Sequence, residues 1–490
     1  MGKSSNIKSL IVDEKSSLKK IISVINSNGY GTCFVTSKSK FKAVITDGDI
    51  RKLILKNYKL NQNIYNFISK KRSVTASYLS SNLDILKKLS DNIKIIPILD
   101  SKKNIIDFST IDKVKKINIY ETHLKGNEFN YVMNCLRTNW ISSTGKYVSL
   151  FEKKFSKLFK IKYSLSLSSG TSGLHLAMKT LNIGYGDEVI LPNMTFAATV
   201  NSVINSGAKP VFVDIDKKTY NLNPSKISEK ITKKTKAIIC VHLYGQPCEM
   251  KLISKIAKKN KLFLVEDCAE ALGSKYNGKY ISYFGDISVF SFFGNKTITT
   301  GEGGMLVTQK KSFFAKAKSL RDHGMDEKKK YWHNEVGFNY RMTNMQAAIG
   351  LAQLENVNDI IKRKIWIAFK YEQEINKLKE RVREKIILPL KVNKNLNTFW
   401  LYNIRIKNLN ETKRDELINK LKALGIECRN FFYPFNRMKI YKKYIKRHDD
   451  FKISNEISDS GICLPSFPGI KSKEIEFIIQ KLGIEINKII

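Results

Sequence analysis

Apolar and polar positions divide the chain into two regimes that meet near residue 116. In the first regime an amphipathic segment is followed, twice, by two short apolar runs flanking a polar turn. The first copy reads "LKKIISVINSNG" then "TCFVTSKSKFKAVITDGDI", the second "NLDILKKLSD" then "IKIIPILDSKKNIIDFSTID". Apolar residues three and four apart predict a helix, and the paired apolar runs predict two strands joined by a turn. Residues 1–115 are therefore expected to form an α+β domain with an internal repeat. From residue 117 the pattern becomes alternating strands and helices. Strands are predicted at "SLSLS", "DEVILP", "KPVFVDID", "KAIICVHLYG", "LFLVEDCA", "ISVFSFF" and "GMLVT", with helical periods such as "GLHLAMKTL" and "MKLISKIAKKN" between the earlier ones. This order predicts an α/β domain with a largely parallel sheet over 117–365, whose ligand sites gather at the carboxyl ends of the strands. A long helical stretch, "NMQAAIGLAQLENVNDIIKRK", leads into 366–490, which mixes a strand, helices and loops as a smaller lobe.

Length and charge add constraints. A chain of 490 residues exceeds one ordinary core. The formal charge of +42 raises the question of an acidic partner, but residues 1–115 hold 22 Lys+Arg against 9 Asp+Glu, a net +13, so the excess is spread over the chain rather than gathered into one arm. No nucleic-acid-reading motif accompanies it, and no nucleic-acid partner is expected. The seven cysteines are scattered and never form a CxxC pair, which gives no disulfide framework and no metal site. The start "MGKSSNIKSL" lacks the apolar core of a signal peptide, and Asn6 stands where a myristoylation motif wants Ser or Thr. No apolar run approaches the roughly 18 residues of a membrane span. A cytoplasmic protein without membrane insertion is expected.

Candidate chemistry falls at predicted strand ends. "SLSSGTSGLHLAMKT" is a strand, a glycine turn and a helix, so the amides of Gly170, Thr171 and Ser172 are placed for an anion; a plain connection uses the same residues. "LFLVEDCAEALG" ends a buried strand with Glu266 and Asp267, which serve either a cationic ligand or a structural ion pair. Phe196 in "LPNMTFAATVN" offers an aromatic face or a core side chain. "SFFGNKTITTGEGG" sets Ser291 at a strand end and Lys296 five residues on. Pyridoxal 5'-phosphate requires a helix N-terminus with hydroxyls for its phosphate, a carboxylate for its ring nitrogen, an aromatic ring over its face and a lysine for attachment. The four stretches supply each. In the repeat, Thr46 with Asp49 and Ser109 with Asp112 are spaced for a phosphate and ribose hydroxyls, or for helix caps.

Two resemblances follow. From about Ile117 onward, "SGTSGLHLAM", "GDEVILP", "TFAATVN", "VHLYGQP", "EDCAEALGS", "FGDISVFSFFGNKTITTGEGGM", "YWHNEVGFNYRMTN" and "LPSFPG" resemble the DegT family of sugar-nucleotide aminotransferases. That resemblance implies the fold of type I pyridoxal-phosphate transferases, with the cofactor attached at Lys296, Asp267 on its ring nitrogen and Phe196 stacked on the ring. Thr171, Ser291 and the turn amides would hold its phosphate. Glu270, taken as one helical turn past Asp267, would face cofactor or substrate, and Trp332 and His333 would approach the sugar nucleotide. Asn339 would reach the phosphate of a neighbouring subunit, in a homodimer with shared sites. The implied reaction moves an amino group from glutamate to a nucleotide-linked 4-keto-6-deoxyhexose. Relatives with histidine in place of the lysine dehydrate their sugar instead, so Lys296 points to transamination, with guanine or uracil as base still open. Asn436 and Arg437 occupy a stretch where many relatives carry a substrate-facing histidine. Residues 1–115 resemble a CBS pair, which implies an adenine nucleotide at Thr46, Asp49, Ser109 and Asp112. Ala43 and Asp107 stand where such units usually have glycine.

Overall fold

The computed structural model describes residues 6–80, 82–90, 92–111, 113–114 and 116–489. They fall into two compact units, one running to Ile117 and including Lys420–Ile426, the other comprising Asn118–Asn419 and Glu427–Ile490.

The first unit repeats one topology. Ile11–Asp13 runs parallel to Thr32–Ser37, which pairs antiparallel with Lys40–Thr46; Ala76–Ser77, Ile95–Leu99 and Ile105–Thr110 repeat that arrangement. Phe34, Phe108, Leu10 and Ile95 form a buried cluster spanning both halves. The register corrects the sequence alignment of the repeats. Thr46 opposes Thr32 and Thr110 opposes Ile95, so Thr110, not Ser109, is the counterpart of Thr46. Ser109 is a buried strand residue opposite Ile96, and Asp112 lies outside the described residues. Ala43 and Asp107 are equivalent: each sits beside a shift in strand register, where glycine would ease a bulge.

In the second unit, seven strands form one sheet: β1 (Tyr163–Leu167), β2 (Glu188–Pro192), β3 (Lys209–Val213), β4 (Thr235–Val241), β5 (Phe263–Asp267), β6 (Ile287–Ser291) and β7 (Gly304–Thr308), in the order β1-β7-β6-β5-β4-β2-β3. All neighbours are parallel except β7, which is antiparallel to both β6 and β1. Both faces are covered. Val289 and Leu306 join a core with Leu165 and Val265, while Phe290, Met305 and Val307 pack on the other side with Phe151 and Phe155. Burial on both faces explains why the strands read as apolar runs rather than as alternating sequences. Helix α1 (Gly170–Thr180) follows β1 and α2 (Ala197–Asn205) follows β2. Helices α3 (Asn344–Glu355) and α4 (Val357–Asn376) lead to an antiparallel sheet of β8 (Ile386–Ile387), β9 (Tyr402–Ile406), β10 (Arg429–Asn430) and β11 (Gly461–Leu464), ordered β8-β9-β11-β10.

Candidate active site

A cavity of about 350 Å³ lies at the carboxyl ends of β1, β2, β4, β5 and β6. Each strand delivers a side chain because its apolar run ends there. Ser169, Gly170 and Thr171 follow β1; Thr195 and Phe196 follow β2; Asp267 closes β5 and Ser291 closes β6. Alternation along β5 sends its two acids in opposite directions. Glu266 accepts from the amides of Ser282, Phe284 and Gly285, from the Ser288 hydroxyl, and from His242 Nε2 at 3.1 Å. His242 Nδ1 accepts from the Cys248 amide, which leaves the ring proton on Nε2. Ligand atoms of His242, Glu266 and Cys268 lie within 4.8 Å of one another. With the carboxylate and both ring nitrogens already committed, this is a buried hydrogen-bond network rather than an open metal site. Asp267 instead lines the cavity, accepting from the Thr199 hydroxyl at 2.8 Å and the Ala269 amide at 3.1 Å.

Lys296 is held from several sides. The loop between β6 and β7 is closed by Phe292 N–H to Gly303 and Thr300 N–H to Phe292. Tyr120 donates its hydroxyl to the Lys296 carbonyl at 2.8 Å, and the Trp400 indole donates to the Asn295 carbonyl at 2.6 Å. The Lys296 amine lies 3.6 Å from Glu270 Oε1 and 3.9 Å from the centre of the Trp400 ring. Glu270 sits in a turn after β5, not on a helix as expected, because the chain bends there. Its Oε2 accepts from the amide of Tyr244, a residue in the left-handed region (φ +55°) in the short turn Leu243–Gly245 that follows β4. Burial lowers the Lys296 pKa against the pull of Glu270 and Asp267, and burial raises Glu270 to about 7 and raises Asp267 as well. Desolvation outweighs attraction on both sides of the pair, so the site favours neutral groups.

Other expected residues lie elsewhere. Ser172 is buried and forms a reciprocal cap with Ser169 at the start of α1, outside the cavity lining. Trp332 is exposed beneath the Lys329 ammonium, His333 Nδ1 faces the His323 carbonyl at 2.9 Å, and Asn339 is exposed and accepts from Arg341; none lines the cavity. Asn436 pairs with Asn193, and Arg437 forms ion pairs with Asp459 and Glu411. Lining residues that the sequence reading did not single out include Glu302, Trp400, Arg429 and Phe432. The Thr199 support of Asp267 was legible only as a hydroxyl one helical turn past Phe196 in "TFAATVN"; the pairing across 68 residues has no local signal.

A profile of the DegT/DnrJ/EryC1/StrS aminotransferase family matches residues 122–483. The chain belongs to that family. This aminotransferase is 45% identical over 370 residues to the GDP-perosamine synthase of Escherichia coli O157:H7, covering 76% of this chain and 98% of the relative. It is 43% identical over 367 residues to that of Caulobacter vibrioides, covering 75% and 97%. Solved structures with the same fold include an aminotransferase from Psychrobacter cryohalolentis, with 29% identity, TM-score 0.70 and coverage of 75% and 98%. Helicobacter pylori PseC, an aminotransferase of pseudoaminic acid biosynthesis, matches with 26% identity, TM-score 0.71 and coverage of 76% and 100%.

The cofactor of these enzymes is pyridoxal 5'-phosphate, and the cavity of the DegT-family chain fits it. Asp267 is a buried acid whose cationic neighbour is Lys296, and a protonated ring nitrogen would supply its counter-charge. Gly170 lies so close to Ser291 that a Cβ would come within 2.9 Å of the serine Cβ. Gly170, Thr171 and Ser291 therefore line the cavity together at the N-terminus of α1, where a helix offers amides to an anion. Phe196, half exposed into the cavity, supplies an aromatic wall, with Phe432 against it at 6.0 Å.

Proposed function

We propose that the enzyme transfers an amino group from glutamate to C4 of GDP-4-keto-6-deoxymannose and so makes GDP-perosamine for a surface polysaccharide. The observation that carries this reading is the near-complete coverage of three GDP-perosamine synthases at 42–45% identity, joined to a cavity whose reacting group is Lys296 rather than the histidine of sugar dehydratases. Bound there, pyridoxal 5'-phosphate supplies an electron sink through which an amino group and a carbonyl are exchanged. Lys296 Nζ is the group that takes the proton from the donor α-carbon and returns one at sugar C4. Its burial among Glu270, Asp267 and Trp400 keeps a neutral amine accessible for that task. Asp267, oriented by Thr199 and the Ala269 amide, holds the ring nitrogen. Gly170, Thr171 and Ser291, which line the cavity with Phe196, would hold the phosphate, and Phe196 would cover the ring. Glu270, anchored on the Tyr244 amide, sets the position and charge of Lys296. Incubation with glutamate and a panel of GDP- and UDP-linked 4-keto sugars, read by mass spectrometry, tests the reading. A 4-amino product from the GDP-manno substrate alone is expected, and preference for a UDP sugar would refute it.

The active unit is a cytoplasmic homodimer with shared sites, a reading supported by the exposed position of Asn339 outside its own cavity. Mixed dimers of Asn339→Ala and Lys296→Ala should regain activity, since both defects would then fall in one site and leave the other intact. The first unit is a CBS pair that takes an adenine nucleotide. What supports this is a cavity of about 170 Å³ lined by Thr46, Lys71, Arg72 and Lys94. Asp49 is turned away from it: its carboxylate accepts from Thr46 in a helix cap and pairs with Lys71. Calorimetry with ATP, ADP and AMP on the whole chain and on Lys71→Ala tests it.

A further inference from the structure

We propose that Arg429 is the residue that recognises the carboxylate of the incoming amino donor; this rests on the aminotransferase reading above. Arg429 opens β10 and lies opposite Cys463 of β11. Cys463 neighbours the Glu270 carboxylate and the Tyr244 hydroxyl, so β10 runs along the wall that carries the Lys296 partner. The guanidinium lines the same cavity as Lys296, with its side chain half exposed. Its recorded ion pair is to Glu427 Oε1 at 3.5 Å, the long limit of a hydrogen bond, while the other oxygen of Glu427 already accepts from the Ile119 amide. A guanidinium so loosely held keeps most of its donors for a ligand.

Charge accounting in the cavity gives it a task. The lining carries three acids, Asp267, Glu270 and Glu302, and two cations, Lys296 and Arg429. Lys296 is the reacting amine and is driven toward neutrality by burial, so it cannot also serve as a fixed positive charge. The N-terminus of α1 is committed to the cofactor phosphate. Arg429 is left to offset the negative charge of a substrate in a site otherwise rich in acids. Two substrates bring such charge, and geometry favours one. The donor's α-carboxylate is bonded to the carbon whose proton Lys296 must reach, so it has to enter the cavity with that carbon. A nucleotide diphosphate hangs from C1, across the sugar ring from the C4 ketone, and so lies several bonds further from the Lys296 amine than the donor carboxylate does. A planar guanidinium matches a carboxylate with two parallel hydrogen bonds, which also fixes the rotation of the donor about its α-carbon.

The test separates the two halves of the reaction. Arg429→Gln and Arg429→Lys, loaded with cofactor, are mixed with glutamate alone and the spectral change of the cofactor is followed; the sugar half is then run on amine-loaded enzyme. In parallel, calorimetry measures binding of 2-methylglutamate, which has no α-proton to lose. Arg429→Gln is expected to raise the donor KM and the analogue Kd by about 10- to 100-fold, with Arg429→Lys between it and wild type. The sugar KM should move by less than about threefold, the size of a minor contact. Unchanged donor KM and Kd would overturn the assignment, as would a loss confined to the sugar half, which would place the diphosphate at Arg429. Wild-type enzyme that reacts with no amino acid would refute the aminotransferase reading itself, an outcome distinct from either.

Discussion

Lys296 and Lys364 are both buried lysines whose pKa burial lowers, Lys364 to about 7. Their surroundings differ in what remains uncommitted. Lys364, on α4, donates to the carbonyls of Trp400 at 2.7 Å and Ser466 at 2.5 Å, and does not line the cavity that Lys296 faces. It ties the helix to the strand-entry segment that carries the Trp400 ring. Lys296 has its backbone held by Tyr120 and its side chain beside Glu270 and Trp400, with the amine facing a cavity. A depressed lysine pKa therefore marks desolvation in both places, and only the presence of space and of unspent partners turns it into chemistry.

The contrast is sharpened most by Lys296→Ala. Turnover should fall by at least about 10⁴-fold, since attachment and proton transfer are lost together, while thermal stability holds or rises as a desolvated amine is removed. Substantial activity would break the contrast. Next in size, Asp267→Asn should lower kcat by about 10²- to 10³-fold through loss of the charge on the ring nitrogen; a near-normal rate would move that role to another acid. Glu270 gives a pH signature in the cofactor-free protein. Its folded pKa of about 7 lies above the model-peptide value of 4.5, so the folded state binds the extra proton. Stability from this group is full below pH 4.5 and is lost as pH rises through 7, by up to about 3 kcal/mol. Glu270→Gln should flatten that slope between pH 4.5 and 7 in urea titrations; an unchanged slope would assign it elsewhere. The smallest effect belongs to Lys364→Met, which should cost about 1–3 kcal/mol by leaving two buried carbonyls without their donor, yet still attach the cofactor. Loss of attachment in a folded Lys364→Met would merge the two lysines into one site.

Much of the second unit was legible because its strands are buried on both faces and stop where chemistry begins. "GMLVT" matches β7, and "ISVFSFF" and "LFLVEDCA" contain β6 and β5, which end at Ser291 and Asp267. What escaped depends on distant contacts. Trp400 reads in "NTFWLYNI" as one more core aromatic, and Arg429 as one more surface charge in a basic chain; only the return of the smaller lobe to the strand ends brings both to Lys296. Glu270 was expected on a helix because "EDCAEALG" has a helical period, whereas the Tyr244 amide and the turn after β5 decide its place. In the first unit the Thr46–Asp49 spacing admitted a cap or a ligand pair, and local hydrogen bonding takes the carboxylate into the cap. The same reciprocal cap recurs at Ser169 and Ser172, where the neighbouring Gly170 and Thr171 still face open space. Residue types alone do not distinguish these two helix starts.

The most direct measurement is to load the protein with pyridoxal 5'-phosphate, reduce it with borohydride, digest it and locate the label by mass spectrometry. The account predicts one labelled peptide, carrying the modification on Lys296, in a chain where lysine is abundant and Lys364 is also buried. Label on Lys364, or spread over surface lysines with Lys296 unmodified, would contradict it.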